Sequence, residues 1–139
     1  MEKYKQLWCF RLGAITRKIS REHNSRFLEF GITVGQSYVL FDLLDHDGAG
    51  IKDIAGRIQL DSPAVTGLVD RLSRQGLVQR IDDPADRRSV KVLLTDKGRE
   101  MAQQLLPITG EYNQRIKDAI DCLDVPIFEK SLTHLENNL

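Results

Sequence analysis

The sequence predicts a mainly α chain with a small β-wing, in which a helix-turn-helix is followed by a hairpin and long helices lie at both ends. Three observations predict it. First, Asp61 to Gly76 reads as a cleanly bounded helix. Ser62 is a good N-cap and Pro63 suits the first helical position, where no N–H is needed. Val65, Leu68, Val69 and Leu72 form one apolar stripe, and Gly76 fits the left-handed position after the helix. Second, two short alternating runs, Leu77 to Ile81 and Val90 to Leu94, bracket a charged loop, Asp82-Asp83-Pro84-Ala85-Asp86-Arg87-Arg88-Ser89. Third, apolar residues at helical spacing run through both ends of the chain.

In order along the chain, Lys3 to about Phe30 reads as a helix. Trp8, Leu12, Ile15 and Ile19 carry its stripe, Leu7 and Ala14 widen it, and Gly31 ends it. Thr33 caps a second helix that runs to about Asp45. Tyr38, Val39, Phe41, Leu43 and Leu44 cover more than one of its sides, which makes it central to the core. His46 to Gly50 is a break. Ile51 to Ile58 is a short third helix with Ile51, Ile54, Ala55 and Ile58 inward, and Gln59-Leu60-Asp61 turns into the fourth. Short helix, short turn and a second helix with a polar outer face make a helix-turn-helix. Leu77, Gln79 and Ile81 share one face of the first strand. The loop after it is too long for a two-residue turn and projects as a wing. Thr95 caps the next helix, whose stripe runs from Met101 to Leu123 with a kink expected at Pro107 and Gly110. Pro126 starts the last helix, with Phe128, Leu132, Leu135 and Leu139 along one side. We read residues 1–139 as a single domain, with a winged helix-turn-helix core at 33–98 and dimerisation helices at 1–30 and 99–139.

Composition narrows the function classes. No run reaches the ~18 apolar residues of a membrane span, and no secretion signal precedes the first helix. Cys9 and Cys122 suggest no disulfide framework, so a reduced, cytoplasmic setting is expected and no membrane partner. No glycine-rich phosphate loop, nucleophile elbow or zinc-type His/Glu pair is present, so neither an enzyme nor a cofactor is expected. His23, His46 and His134 lack ligand spacing. Asp45 to Gly48 lacks the remaining positions of a calcium loop, so no metal is expected either. Formal net charge is zero, which is unusual for a nucleic-acid binder. The balance is uneven, however: residues 57–91 hold seven Lys/Arg against five acids, and residues 101–139 hold three against six. The acidic excess thus lies outside the helix-and-wing stretch.

That stretch suits double-stranded DNA. The small, polar first turn of the fourth helix permits close approach to base edges in the major groove, and arginines at a wing tip reach phosphates or the minor groove. The terminal stripes need a partner. They either pack together within one chain or intertwine in a homodimer, whose two heads would read half-sites roughly 34–36 Å apart.

Asp86-Arg87-Arg88-Ser89, followed by Val90 to Gly98, resembles the wing signature of the MarR (multiple antibiotic resistance regulator) family. Val65 to Leu72, with Gly76-Leu77-Val78, resembles its recognition helix and exit. The resemblance implies a homodimeric winged-helix transcription factor on a palindromic operator. Such proteins usually repress and are usually released by a small ligand or an oxidant. It implies that Arg88 enters the minor groove, that Asp86 orients it through a salt bridge, and that Arg87 meets phosphate. Ser62, Pro63, Ala64, Thr66 and Gly67 would lie at the major groove, with Arg71 and Arg74 at phosphates. A plainer reading makes Asp70 and Arg74 an i, i+4 surface pair.

For sensing, the expected effector is a small aromatic or amphipathic molecule, with Trp8, Arg11, Tyr38, Phe41 and His46 as candidate linings. The alternative is redox sensing through Cys9. Cys9-Phe10-Arg11-Leu12 resembles the sensing stretch of the family's organic-hydroperoxide branch, although His23 and Val34 stand where that branch has tyrosines. Cys9 is otherwise a buried small apolar residue, activated only if Arg11 or His23 comes close. A winged-helix protein adaptor is the other competing class. It would have no need of Arg87 and Arg88 beside a small-residue helix face.

Overall fold

The computed structural model describes residues 2–139, apart from the side chains of residues 87 and 88. The chain forms two compact units, Met1–Leu106 and Pro107–Leu139.

The first unit opens with a 3-10 turn, Lys3–Gln6, and an extended Leu7, so the first α-helix starts at Trp8 and not at Lys3. Helix α1 spans Trp8–Phe27, and a second 3-10 turn, Leu28–Phe30, closes on Gly31 at φ 67. The expected single helix from 3 to 30 is therefore three segments. The α1 stripe points outward: Trp8 is 74% exposed, and Leu7, Leu12 and Ile15 are exposed with it. What α1 buries is His23 and Phe27, whose rings stack 5.8 Å apart. Asn24 Oδ1 accepts the Val34 N–H at 2.8 Å and joins α1 to the next helix.

Helix α2, Val34–Asp45, starts at a capping box. The Thr33 hydroxyl accepts from the Gln36 N–H, and Gln36 Oε1 accepts the Thr33 N–H at 2.8 Å. It is the central helix, with Val39, Leu40 and Leu43 fully buried. Tyr38 is instead exposed, and Phe41 and Leu44 are half-buried. Strand β1 is the two residues Ala49–Gly50, inside the segment expected to be a break. Helix α3 is Ile51–Ile58, with Ile54 and Ala55 buried. The Arg57 guanidinium clamps it to α2, donating from Nε and Nη2 to the two Asp42 oxygens at 2.7 and 2.9 Å.

Helix α4 is Ser62–Arg74, and Val65, Leu68, Val69 and Leu72 are all buried. Its N-cap is Asp61, not Ser62. The extended Asp61 backbone lets Oδ1 accept the Ala64 N–H at 2.7 Å, so the helix begins one residue earlier than expected, with Ser62 in its first turn. Gly76, at φ 73, ends it.

Strands β2, Val78–Asp83, and β3, Asp86–Leu94, pair antiparallel, and β1 joins the far edge of β3 to give the order β1-β3-β2. Both strands run further out than their apolar alternation. Asp83 pairs with Asp86 around Pro84-Ala85, and Asp83 Oδ1 accepts the Ala85 N–H at 2.9 Å. The expected long loop is thus mostly strand, turned by an Asx device. The register shifts between Asp82 and Asp83. The strand faces also differ from expectation. Leu77 is buried just before β2, Val78 faces inward, and Ile81 is exposed. Asp47 ties the sheet together, its Oδ1 accepting the Leu94 N–H at 2.8 Å.

Helix α5 spans Asp96–Asp118 and contributes to both units. Thr95 caps it, its hydroxyl accepting the Gly98 N–H at 3.0 Å and donating to the Gly76 carbonyl at 2.7 Å. The helix runs through Pro107 and Gly110 and stops at Asp118, short of the Leu123 that its stripe suggested. In the second unit, Asp121 Oδ1 accepts the Leu123 N–H at 3.0 Å and turns the chain into helix α6, Val125–Asn138. Lys117 and Glu129 pair at 2.7 Å between the two helices of this unit. Leu123 and Ile127 are 80% and 64% exposed, and Phe128 and Leu132 are exposed beside them. Among the described residues, no single helix is long and apolar enough to cross a membrane.

Candidate nucleic-acid interface

The site is built on α4 because its inner stripe is fully committed to the core, which fixes the outer face. Ser62, Pro63 and Ala64 are exposed there, and Thr66 and Gly67 are half-buried. No heavy atom beyond the helix comes within 4 Å of where a Gly67 Cβ would stand, so that face is open. Two backbone donors of the first turn are already engaged, Ala64 N–H by Asp61 Oδ1 and Val65 N–H by the Asp61 carbonyl, and Pro63 has no N–H. What this end presents is mainly side chains. The Thr66 hydroxyl donates back to the Ser62 carbonyl at 2.9 Å, which leaves its oxygen as an acceptor for a base-edge amino group.

The wing lies beside this face. A groove of about 530 Å³ runs between them, lined by Ser62 and Thr66 from α4, Lys52 and Asp53 from α3, and Arg80, Asp86, Ser89 and Val90 from the wing. The structure thus brings together Ser62, Thr66 and Asp86 from the expected set. Arg71 and Arg74 are exposed on the second half of α4 and do not line the groove. The expected roles of Arg87 and Arg88, and the pairing of Asp86 with Arg88, rest on side chains outside the described residues.

Sequence reading missed Lys52 and Arg80. The signal for Arg80 lay in its place between Val78 and Asp82 in an alternating run. Nothing in the sequence announced its partner: the Arg80 guanidinium donates to the Asp70 carboxylate on α4. Asp70 therefore pairs across to the wing and not along the helix with Arg74.

The candidate sensing residues separate. Tyr38 and Phe41 line an open hollow of about 380 Å³ with Asp42, Asp45 and Ile58, and Trp8, Arg11 and His46 do not line it. His46 caps α2, its Nδ1 3.2 Å from the Asp42 carbonyl. Cys9 is exposed, not buried, because the helix turn that carries it faces outward with Trp8. Neither proposed activator meets it within the chain. Arg11, two positions on, points to another side of α1, and His23 lies roughly 20 Å further along the same helix. Among the described residues, no group of three or more His, Cys, Asp or Glu is placed to hold a metal ion.

Comparison with known proteins agrees with this geometry. The MarR family model matches residues 32–90, which cover α2 to the wing. The uncharacterized HTH-type transcriptional regulator YsmB of Bacillus subtilis (strain 168) is 31% identical over 128 residues, 92% of this chain and 86% of that protein. The chain belongs to the MarR family. As a MarR-family protein it is a transcriptional regulator and not an enzyme. The organic hydroperoxide resistance transcriptional regulator of the same organism is 29% identical over 108 residues, 78% of this chain and 74% of that one. Among solved structures, the Staphylococcus aureus MepR–DNA complex shares the MarR fold at a TM-score of 0.86, with 23% identity over 94% of this chain and 96% of that chain.

Proposed function

We propose that this MarR-family regulator acts as a homodimeric repressor in the cytoplasm, holding a palindromic operator through α4 and the wing until a small molecule releases it. The observation that carries the reading is the groove that sets Ser62 and Thr66 of α4 beside Asp86 of the wing. On this reading, Ser62, Pro63, Ala64, Thr66 and Gly67 read the major groove, with Arg71, Arg74 and Arg87 at phosphates and Arg88 in the minor groove. The solved MepR complex with DNA, which shares the fold, supports this docking. The outward stripe of α1 and the exposed face of Leu123, Ile127, Phe128 and Leu132 in the second unit support a dimer, since apolar faces of this kind mark interfaces. Residues 33–98 then form the reading core, with dimerisation helices at 1–30 and 99–139. The hollow at Tyr38 and Phe41 suits an aromatic or amphipathic effector.

The test is selection of bound genomic fragments by the purified protein, with footprinting and sedimentation, repeated with Arg88→Ala. A protected palindrome that the folded Arg88→Ala dimer binds more weakly, with a salt slope lower by about one, supports the reading. Unchanged protection in that variant sinks the wing assignment, and a monomer at micromolar concentration sinks the dimer.

A further inference from the structure

The Asp70–Arg80 pair lies outside the core. Both side chains are only partly buried, at 38% and 36% exposure, and their elements are already joined through Leu77 and Val78 at the base of the wing. An exposed pair of this kind contributes little to stability. Its position is more telling. Arg80 lines the groove opposite Thr66 and Ser62, where a duplex backbone passing between helix and wing would lie. Asp70 stands one helical turn beyond Thr66 and takes the Arg80 guanidinium. Among the described residues, Lys52 is the other cation lining that groove, and Asp53 and Asp86 are its acids.

We propose that Asp70 is a specificity-determining residue that masks Arg80, so that the guanidinium is not offered to the phosphates of an arbitrary duplex. On random DNA, seated loosely on α4, Arg80 keeps its carboxylate and contributes no counterion release. On a duplex whose base edges draw α4 fully into the major groove, a phosphate comes close enough to take the guanidinium from Asp70. The exchange of one anion for another then happens only in the correct register. This widens the ratio of operator to random affinity without any contact from Asp70 to a base. The inference rests on the proposed DNA reading of α4 and the wing.

The experiment measures affinity for a random duplex and for the selected operator between about 0.05 and 0.2 M salt. It compares wild type, Asp70→Asn, Asp70→Glu, Arg80→Gln and the double variant Asp70→Asn/Arg80→Gln, each checked for a wild-type melting curve. Asp70→Asn keeps the volume and removes the charge, so its random-duplex slope rises by about one. Its gain over wild type then widens about eightfold for each tenfold drop in salt. The operator-to-random ratio falls accordingly. Asp70→Glu returns the slope towards the wild-type value, and the double variant loses the gain because no guanidinium is left to free. A folded Asp70→Asn with wild-type random affinity and slope overturns the proposal. So does a gain that survives in the double variant, which would be the removal of a negative charge and nothing more. Failure of the wild type to bind any selected operator would instead overturn the DNA reading beneath it.

Discussion

Gly98→Ala tests the joint between the reading head and α5. A Cβ on Gly98 would stand 1.8 Å from the Leu77 carbonyl oxygen and 2.8 Å from its carbon. Ordinary carbon–oxygen approach is about 3.3 Å, so roughly 1.5 Å of relief is needed. The obstacle is backbone and has no rotamer to change. Leu77 is 1% exposed, and both its polar groups are in use: its N–H donates to the Leu72 carbonyl at 2.9 Å, and its carbonyl accepts the Thr95 N–H at 3.1 Å. Relief on the other side moves the first turn of α5, where the Gly98 N–H holds the Thr95 cap. Overpacking of this kind costs about 1–3 kcal/mol, and loss of the cap and one buried hydrogen bond adds about 1 kcal/mol each. The sum of about 3–5 kcal/mol lowers Tm by roughly 10 °C or more in a chain of this size. Circular-dichroism melts at one fixed protein concentration read it, because a dimer's Tm depends on concentration. Gly56→Ala is the paired measurement. It is the same change inside α3, nothing stands within 4 Å of the new methyl, and it should stabilise by about 0.5–1 kcal/mol. A Gly98→Ala protein melting within a few degrees of wild type would refute the reasoning about the joint.

Gly67→Ala separates stability from recognition. The site is open, so the helix gains about 1 kcal/mol, while operator affinity falls by about tenfold as a methyl enters the face held against base edges; equal affinity in a more stable variant would remove Gly67 from the contact surface. His23 gives a pH prediction. Burial, then the neighbouring Arg26, lower its pKa below the usual histidine value, against a smaller opposing effect of Glu22. The unfolded chain then takes up the proton first as pH falls through about 6.5, so the folded state loses stability below that pH and keeps it above. Melts of wild type and His23→Gln across this range should converge towards neutral pH differently from acid pH, with the wild type carrying the steeper acid loss. Parallel curves would rule His23 out as the source.

What was legible in the sequence was whatever one segment settles by itself. Thr33 before α2, the four-residue stripe of α4, Gly31 and Gly76 after their helices, and Thr95 before α5 are local devices, and the structure uses each of them. Boundaries shifted where two neighbours compete for one task. Asp61 and Ser62 are both good caps, and the backbone, not the residue type, decided between them. The wing strands outran their apolar pattern because their outer halves have no core to face, so pairing there leaves no periodic trace. The α1 stripe was legible as a stripe, but its outward direction in one chain was not, since an interface and a core are built from the same residues.

The candidate site divides along the same line. Ser62, Thr66 and Gly67 could be singled out because a helix surface is defined by the stripe it leaves over. Lys52 and Arg80 could not, because each acquires its role from a groove made by three elements brought together by the fold. Asp70 is the sharpest case. Along the sequence its natural partner is Arg74, four residues on, and helix geometry permits that pair. Across the fold Arg80 takes its carboxylate instead, because the wing returns over the middle of α4. A carboxylate that looks like surface decoration on a helix thereby becomes the counterion of a groove-lining arginine. On the masking proposal, one of the charges this head offers to arbitrary DNA depends on a contact between α4 and β2, while the sequence-wide net charge of zero says nothing about it.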